Sequence, residues 1–452
     1  MLVLPLLLTR MSTGEIALWY LFSSILVLHN LLDFGFSQTF IRVIAYAMGG
    51  AENLRAVNER PSLEHPVKPN WSMIDKIWST IRSIYLRTTG VSVLLLAIIG
   101  SFALQRPIAA TGNEATAWIS WSVIVATSGL TFWGAMYGTF LQGVDQIALL
   151  RRWEALTSLG AIVTSFLVLY AGGRLLELVL VNQSWAAVAV LRNRHLCRTV
   201  ENGIMRTFRG SKVYDEVFQA VWPSAWRSGL GIAMSYGLVH ATGIVYAQFG
   251  SVMDLASYMV ALRIVQSVSS FSQAPFYTRI PLLARHHFDG NTREKVQVAE
   301  RGMRISYWAF VLGFICAGLL ANPLMKAIGS KASFVDPALW CLMGGALFAE
   351  RFGAMHIQLY SITNRIVWHI ANGISGVITL FVVLLAIDQF GVYSFPLGLL
   401  AGYLGFYCWY SAAHSYKEYR LKLVVFESKT SLVPLLVLLV YFAVTLTFGY
   451  LG

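Results

Sequence analysis

Charged residues are scarce in this sequence. Asp, Glu, Lys and Arg make up 12% of its 452 residues, whereas soluble globular domains carry about 25%. Because such domains cover their surfaces with charged side chains, the shortage excludes a water-soluble globular protein. Hydrophobic residues account for 56% of the chain. The composition therefore indicates a polytopic membrane protein.

Cysteine and acidic residues are also few. The four cysteines form no CxxC pair, so the sequence indicates neither a disulfide framework nor a metal site, and we expect no cofactor. Asp and Glu number 22 against 34 Lys and Arg, which gives a formal net charge of +12. Nucleic acid is nevertheless excluded as a partner, because the basic residues cluster in the connections between apolar runs. We interpret them as topology signals and as contacts with membrane lipids.

Long apolar segments dominate the chain. A helix needs roughly 20 apolar residues to cross a bilayer, and about thirteen segments can be marked, the first of them a stub. They lie at about 1–8, 16–46, 84–104, 115–141, 153–171, 175–191, 219–247, 254–282, 305–321, 337–360, 366–386, 392–412 and 432–450. The sequence predicts an all-α bundle of about 12–14 transmembrane helices.

Basic residues in the connections predict the orientation of the chain. If the stub begins in the cytoplasm, the inner connections hold most of the Lys and Arg, as the positive-inside rule requires. Among the residues of these connections are Arg55, Arg60, Arg151, Arg152, Arg192, Arg194, Arg198, Arg206, Arg209, Lys212, Arg285, Lys417, Arg420, Lys422 and Lys429. We therefore predict a multi-pass protein with a cytoplasmic N-terminus.

The two halves of the chain resemble each other. Aligning Glu15 with Asp254 also aligns Ala17 with Ala256, Trp19 with Tyr258, Ile25 with Ile264, Thr39 with Thr278, Ile41 with Ile280 and Ala45 with Ala284. Such a parallel repeat is typical of transporters whose substrate site lies between the halves. We predict an N-terminal lobe at 1–215, a C-terminal lobe at 216–415 and an additional helix at 416–452. The repeat also predicts that roughly the first twenty residues of the first helix are absent.

Two stretches near the N-terminus carry specific expectations. Ile16–Tyr46 is expected to be one span with an acid and a base inside it. Asp33 and Arg42 lie about half a turn out of phase on a helix, so they cannot pair, and each needs another partner or water. From Trp71 to Tyr85, apolar residues follow helical spacing with basic residues off that stripe. This pattern predicts a helix that lies in the inner membrane interface.

Several segments carry polar residues on one helical face. The ionisable ones are informative, because a lone Arg or Asp at mid-bilayer costs about 2.5–3.5 kcal/mol and usually faces a cavity or a partner. The candidates for substrate binding in a cavity are Arg227, Arg263, Arg351, Arg42, Gln266 and Ser270. Asp33 and Glu350 are the candidates for ion coupling, or alternatively they neutralise a neighbouring Arg. The histidines of these spans, including His356, are interpreted as packing residues rather than proton relays.

An arginine-lined cavity suits an anionic substrate. Guanidinium binds phosphate with two parallel hydrogen bonds and does not deprotonate, so it can replace part of the hydration of a pyrophosphate. A membrane potential that is negative inside favours outward movement of each negative charge by about 2.3 kcal/mol per 100 mV. These features favour export of a phosphate-bearing headgroup.

The N-terminal fifty residues also carry a family resemblance. The stretches PLLLTRMSTGEIALWYLFSSI and LLDFGFSQTFIRVIAYA resemble the start of polysaccharide (O-antigen, capsule or exopolysaccharide) flippases of the multidrug/oligosaccharidyl-lipid/polysaccharide (MATE-like) superfamily. The matching residues are Pro5, Glu15, Leu18, Trp19, Asp33, Gly35 and Arg42, whereas Ala17 replaces the usual Gly and Phe34 the usual Leu. FSQTF is also similar to the lipid II flippases of this superfamily.

The resemblance implies a fold and a function. The fold is two six-helix lobes in a V, with the first, second, seventh and eighth helices lining a cavity. The function is a flippase, not an enzyme, that moves undecaprenyl-pyrophosphate-linked oligosaccharide across the cytoplasmic membrane of a bacterium by alternating access. Coupling to protons, sodium or the membrane potential is expected, and the polysaccharide polymerase and other assembly proteins are expected partners.

Two other functions stay open. A MATE-type exporter of organic cations needs a cavity dominated by carboxylates, whereas here arginines outnumber Asp33 and Glu350. A membrane-embedded polysaccharide polymerase usually carries one large outer loop with catalytic Arg or His residues. No outer connection of this chain is longer than about twenty residues, if the spans have the usual length.

Overall fold

The computed structural model describes residues 3–51, 68–208, 210–248, 250–280, 282–283, 292–330, 333–363 and 367–449. Throughout these ranges the chain is built from helices, and the predicted all-α fold is confirmed. Seven of the described helices are long and apolar enough to cross a membrane, or eight if the bent pair Leu423–Lys429 and Leu432–Phe448 forms one span. Arg55, Arg60, Arg209 and Arg285, which the orientation prediction used, lie outside the described residues.

The chain divides into two compact units, Met1–Ala233 and Met234–Gly452. The first unit contains α1 (Leu4–Arg10), α2 (Thr13–Asn30), α3 (Phe36–Met48), α4 (Trp71–Leu95), α5 (Ser101–Ala109), α6 (Glu114–Gly143), α7 (Ile147–Tyr170), α8 (Leu175–Thr199) and α9 (Asp215–Ile232). The second contains α10 (Leu238–Tyr246), α11 (Val252–Tyr277), α12 (Thr292–Ala327), α13 (Pro337–Ser361), α14 (Trp368–Phe390), α15 (Ser394–Gly402), α16 (Cys408–Tyr419), α17 (Leu423–Lys429) and α18 (Leu432–Phe448).

The predicted span Ile16–Tyr46 is two helices rather than one. Helix α2 starts at a capping box, in which the Ser12 side chain and Glu15 bond to each other's backbone N–H. It ends before the 3₁₀ turn Leu31–Asp33, after which two residues, Phe34 (φ 46°) and Gly35 (φ 72°), adopt left-handed backbone conformations. Because left-handed residues cannot continue an α-helix, the chain changes direction here before α3 begins.

Helix α3 packs on α4, α6 and α9 in the first unit. Its buried side chains, among them Phe40 and Ile44, pack with those of α4, α6 and α9 in one apolar cluster. Helix α4 contributes Ile77 and Ile81, both of which are fully buried in this cluster. The prediction of an interfacial helix at Trp71–Tyr85 is therefore wrong. Its apolar stripe faces protein, and the helix continues without a break to Leu95.

In the second unit, helix α13 packs on α11, α15 and α16. The sequence explains where it begins, because Pro337 occupies the first turn and Asp336 caps the free N–H groups of Ala338 and Leu339. Most of its side chains are buried, including those of Arg351 and His356. This helix therefore brings ionisable groups into the interior of the unit.

Candidate functional site

The candidate residues of the first unit gather around the turn at Asp33. The carboxylate accepts hydrogen bonds from the Tyr85 hydroxyl (2.5 Å), the Ser37 backbone N–H (3.0 Å) and the Ser37 hydroxyl (3.2 Å). The last two bonds arise because Ser37 lies in the first turn of α3, where backbone N–H groups have no partner within the helix. Asp33 thus caps α3 and ties it to α4.

Helix α9 packs directly on this turn. A Cβ atom on Gly35 would lie 2.7 Å from the Ser228 Cβ, and one on Gly229 would lie 2.6 Å from the Phe34 backbone. Only glycine fits at these two positions, because any side chain would separate the turn from α9. The packing brings Asp33 close to the part of α9 that carries Arg227.

Arg227 and Arg42 are both exposed. The Arg227 guanidinium lies 5.7 Å from the centre of the Trp226 ring, a distance at which a cation and an aromatic face attract each other. Within the described part of the chain, neither arginine forms an ion pair with Asp or Glu. Both positive charges are therefore open to a ligand, to lipid headgroups or to water.

In the second unit, α11 presents the predicted polar face. Arg263 and Ser270 are exposed and Gln266 is half-buried, whereas Val265 and Ser269 on the other side of the helix are buried. The Ser270 hydroxyl donates to the Gln266 backbone carbonyl at 2.8 Å, so its oxygen remains free to accept from a ligand. Arg263 also acts electrostatically on His240 of α10. The sequence therefore located a polar helix face that the structure leaves uncovered within this unit.

The third predicted arginine is in a different environment. Arg351 is fully buried, and its Nη2 donates to the Ser269 backbone carbonyl (3.1 Å) and to the Ser269 hydroxyl (2.5 Å). The same nitrogen lies 3.3 Å from the Glu350 carboxylate. This arrangement matches the alternative in which Glu350 neutralises a neighbouring Arg. Arg351 supports the α11 face from behind, and a role in binding substrate stays a prediction.

Sequence reasoning missed one carboxylate. Glu427 on the short helix α17 is buried and bonds to His356 of α13, at 3.1 Å between Oε1 and Nε2. The residue lies between apolar segments and among basic residues, so the sequence places it in an inner connection. Its one local signal is the pair of hydroxyl residues Thr430 and Ser431, which follow at the spacing of one helical turn.

Comparisons with known proteins identify the fold. No known family profile and no curated protein matches the sequence. Two solved structures resemble the chain over most of its length. One is an inward-facing conformation of a multidrug resistance MATE family transporter of the MOP superfamily, with a TM-score of 0.67, 13% identity and 94% of each chain covered. The other is the lipid II flippase MurJ in an inward closed conformation, with a TM-score of 0.55, 10% identity, 96% of this chain and 91% of that chain covered.

Identities this low establish the fold but neither the substrate nor the reaction. The confirmed features are the helical architecture, the apolar spans and the likeness to both structures over nearly the whole chain. This protein is an all-helical, multi-pass membrane protein with the fold of a MATE transporter and of the lipid II flippase MurJ.

Proposed function

We propose that this chain is a membrane transporter that moves lipid-linked oligosaccharide, carried on undecaprenyl pyrophosphate, across the cytoplasmic membrane of a bacterium. The observation that carries the proposal is a difference between the candidate residues: two of the arginines are exposed, whereas the carboxylates already have partners. Arg227 and Arg263 are exposed, whereas Asp33 accepts three hydrogen bonds and Glu350 faces Arg351. The charges that remain available are positive, so they suit an anion.

A pyrophosphate-linked glycan fits these groups chemically. Each guanidinium offers a planar fork of N–H donors that matches two phosphate oxygens. On α11, Gln266 lies one turn and Ser270 two turns from Arg263 on the same face, and both can bond to sugar hydroxyl groups. We propose that Arg227 and Arg263 bind the pyrophosphate or acidic sugars and that Arg42 assists them. Asp33 and Glu350 remain candidates for the ion-coupling step.

The main alternative is an exporter of organic cations, which the likeness to a multidrug transporter favours. Such an exporter needs a carboxylate that a cation can reach. Asp33 already holds the Tyr85 hydroxyl and two Ser37 groups, and a cation would have to displace them. For this reason we rank the flippase above the exporter.

The test is genetic and chemical. The reading frame is deleted in its host, and surface glycan and polyprenyl-linked intermediates are measured with and without complementation. We expect the deletion to abolish surface glycan and to trap lipid-linked units inside. The variants R227A and R263A should each lower export at least tenfold, because the loss of one charge-assisted phosphate contact costs about 1.5–3 kcal/mol.

A matched control is Arg151→Ala. This arginine is exposed and pairs with Glu154 on the surface of α7, so its removal should leave export unchanged. If R227A and R263A export as well as R151A, the two arginines do not bind substrate. If the deletion leaves the glycan intact but raises sensitivity to cationic drugs, the exporter replaces the flippase.

A further inference from the structure

The buried carboxylate of Glu427 has no part in the function proposed above. Its Oε1 accepts from the Tyr416 hydroxyl at 2.6 Å and lies 3.1 Å from His356 Nε2. Its Oε2 accepts from the Thr430 hydroxyl at 2.9 Å and from the Ser431 hydroxyl. Four donors on two oxygens stabilise the ionised form of a carboxylate and leave little room for a metal or an organic ligand.

The hydrogen bonds of His356 are compatible with two protonation states. Nε2 faces the carboxylate, which only accepts, so this nitrogen carries a proton. Nδ1 lies 2.7 Å from the Ser415 hydroxyl, and that hydroxyl donates its single proton to the Ala412 backbone carbonyl at 3.0 Å. While the hydroxyl keeps this bond, Nδ1 donates to the Ser415 oxygen; when the hydroxyl turns to Nδ1 instead, the ring is neutral. A histidine that donates from both ring nitrogens is an imidazolium cation.

Burial makes a positive charge on the His356 ring unfavourable unless a negative charge lies beside it. His356 is fully buried, and its ring packs against Phe352, Tyr416 and Phe426. An isolated cation in such a place would lose its proton, whereas an adjacent carboxylate with a full set of donors keeps it. The pair also joins α17 to α13, two helices that are separated by 71 residues at this contact.

We propose that His356 and Glu427 form a buried proton-binding site, and that proton binding there drives the transport cycle. The second part rests on the proposed transport function, whereas the first does not. When the site releases its proton, Nδ1 of the imidazolium gives that proton to water. The Ser415 hydroxyl then turns from the Ala412 carbonyl and donates to Nδ1. The ion pair becomes a neutral hydrogen bond, and the attachment of α17 to α13 weakens.

Other titratable groups surround the pair. Tyr307 of α12 acts electrostatically on the site. Lys429 of α17 lies 3.5 Å from Glu300 of α12, and Arg351 of α13 lies 3.3 Å from Glu350. Tyr416 of α16 donates to Glu427. These neighbours are a tyrosine hydroxyl on each of two sides and two opposite-charge pairs.

The test of the proton site uses the full chain in lipid with ring-¹⁵N-labelled histidine and solid-state NMR. Free histidine is only a few per cent protonated at pH 8, given a reference pKa of about 6.5. We expect one histidine with two protonated ring nitrogens at pH 8, and the loss of this signal in H356Q. The control H414Q should retain it, because His414 bonds through Nδ1 to the Tyr410 carbonyl and is not part of the pair.

The wild-type spectrum decides the first part even if H356Q fails to fold. If every histidine shows one protonated and one bare ring nitrogen at pH 8, the proton site is wrong. E427Q provides a second check, since the removal of the negative charge should convert the imidazolium to neutral imidazole at pH 8.

The coupling role is tested in vesicles with lipid-linked oligosaccharide and an imposed pH gradient. We expect the gradient to change the wild-type transport rate at least fivefold and the H356Q rate by less than twofold. If H356Q responds like wild type, the site does not drive transport. If wild-type vesicles move no lipid-linked oligosaccharide under any gradient while the NMR signal is present, the proposed function fails and the proton site stands.

Discussion

Two buried or half-buried carboxylates, Asp33 in the first unit and Glu427 in the second, each accept several hydrogen bonds but from different kinds of donor. Asp33 accepts from a tyrosine hydroxyl and from the backbone and hydroxyl of Ser37. Glu427 accepts from three hydroxyl groups and from His356. The donors of Asp33 do not titrate near neutral pH, so its cluster fixes a shape. One donor of Glu427 is an imidazole, a group that exists either as a cation or as a neutral ring, so its cluster is the one for which we propose proton binding.

The two clusters also differ in how local they are. Two of the three donors to Asp33 come from the residue four positions along the chain. The histidine that contacts Glu427 is 71 residues away. We therefore expect the Asp33 cluster to tolerate loss of charge if its shape is kept, and the Glu427 cluster to depend on charge.

The largest effect is expected for Glu427→Ala. This change leaves the His356 imidazolium without a counter-charge and four donors without an acceptor, and removal of one partner from a buried pair typically costs about 3–5 kcal/mol. Thermal unfolding of the purified protein in detergent should show a large drop in midpoint. Glu154→Ala is the control, because it breaks only an exposed pair with Arg151. Equal midpoints for the two variants would mean that the stability of the protein does not depend on the charge of Glu427.

A smaller loss is expected for Gly35→Ala in the Asp33 turn. The left-handed backbone at φ 72° costs a non-glycine residue roughly 1–2 kcal/mol, and crowding adds about 1–3 kcal/mol. The crowding arises because the new Cβ would lie 2.7 Å from the Ser228 Cβ. Gly112 has the same φ of 72° with open space around it, so Gly112→Ala should show the backbone cost alone in the same unfolding assay.

The charge dependence is tested by a matched pair, Asp33→Asn and Glu427→Gln. Asp33→Asn keeps an acceptor for the Tyr85 hydroxyl and should lower the free energy of unfolding by about 1–3 kcal/mol, the cost of imperfectly satisfied hydrogen bonds. Glu427→Gln removes the counter-charge of His356 and should cost more. Denaturant titration of both variants measures the difference. If Asn at position 33 costs more than Gln at position 427, the roles of the two clusters are reversed.

The smallest effect is expected for Tyr416→Phe. It removes one of the four donors to Glu427 and leaves the pair with His356 in place. A single hydrogen bond to a charged group contributes about 1.5–3 kcal/mol at most, and the remaining three donors compensate in part. The unfolding midpoint should drop by less than in Glu427→Ala, and the imidazolium signal should persist. Loss of that signal in Y416F would mean that His356 stays protonated only while Tyr416 donates its hydrogen bond to Glu427.

Composition and apolar length predicted the all-helical membrane fold, but they could not locate the break inside the predicted span Ile16–Tyr46. The break depends on two left-handed residues, one of which, Phe34, is not a glycine. Phe34 adopts this conformation where α9 packs on the turn, and no local rule predicts it. The sequence also could not distinguish membrane from protein as the partner of the apolar stripe of α4, because both environments favour apolar residues at the same helical spacing.

Periodicity located the polar face of α11, and the isolated charges in apolar runs identified Arg227, Arg263, Arg351 and Glu350 as candidates. It could not separate the exposed arginines from the buried one. Arg263 and Arg351 both lie inside apolar runs of the sequence, yet one is exposed and the other is buried against Ser269. That difference arises only when α13 packs on α11.

The sequence by itself determined that this chain crosses a membrane and which helix faces are polar, because bilayer thickness and helical periodicity act on each segment separately. Tertiary structure alone decided which groups the ring of His356 contacts. Its ring nitrogens meet Ser415, 59 residues away, and Glu427, 71 residues away. The ionisation of a buried group depends on the atoms around it in space, and in this protein those atoms come from three different helices.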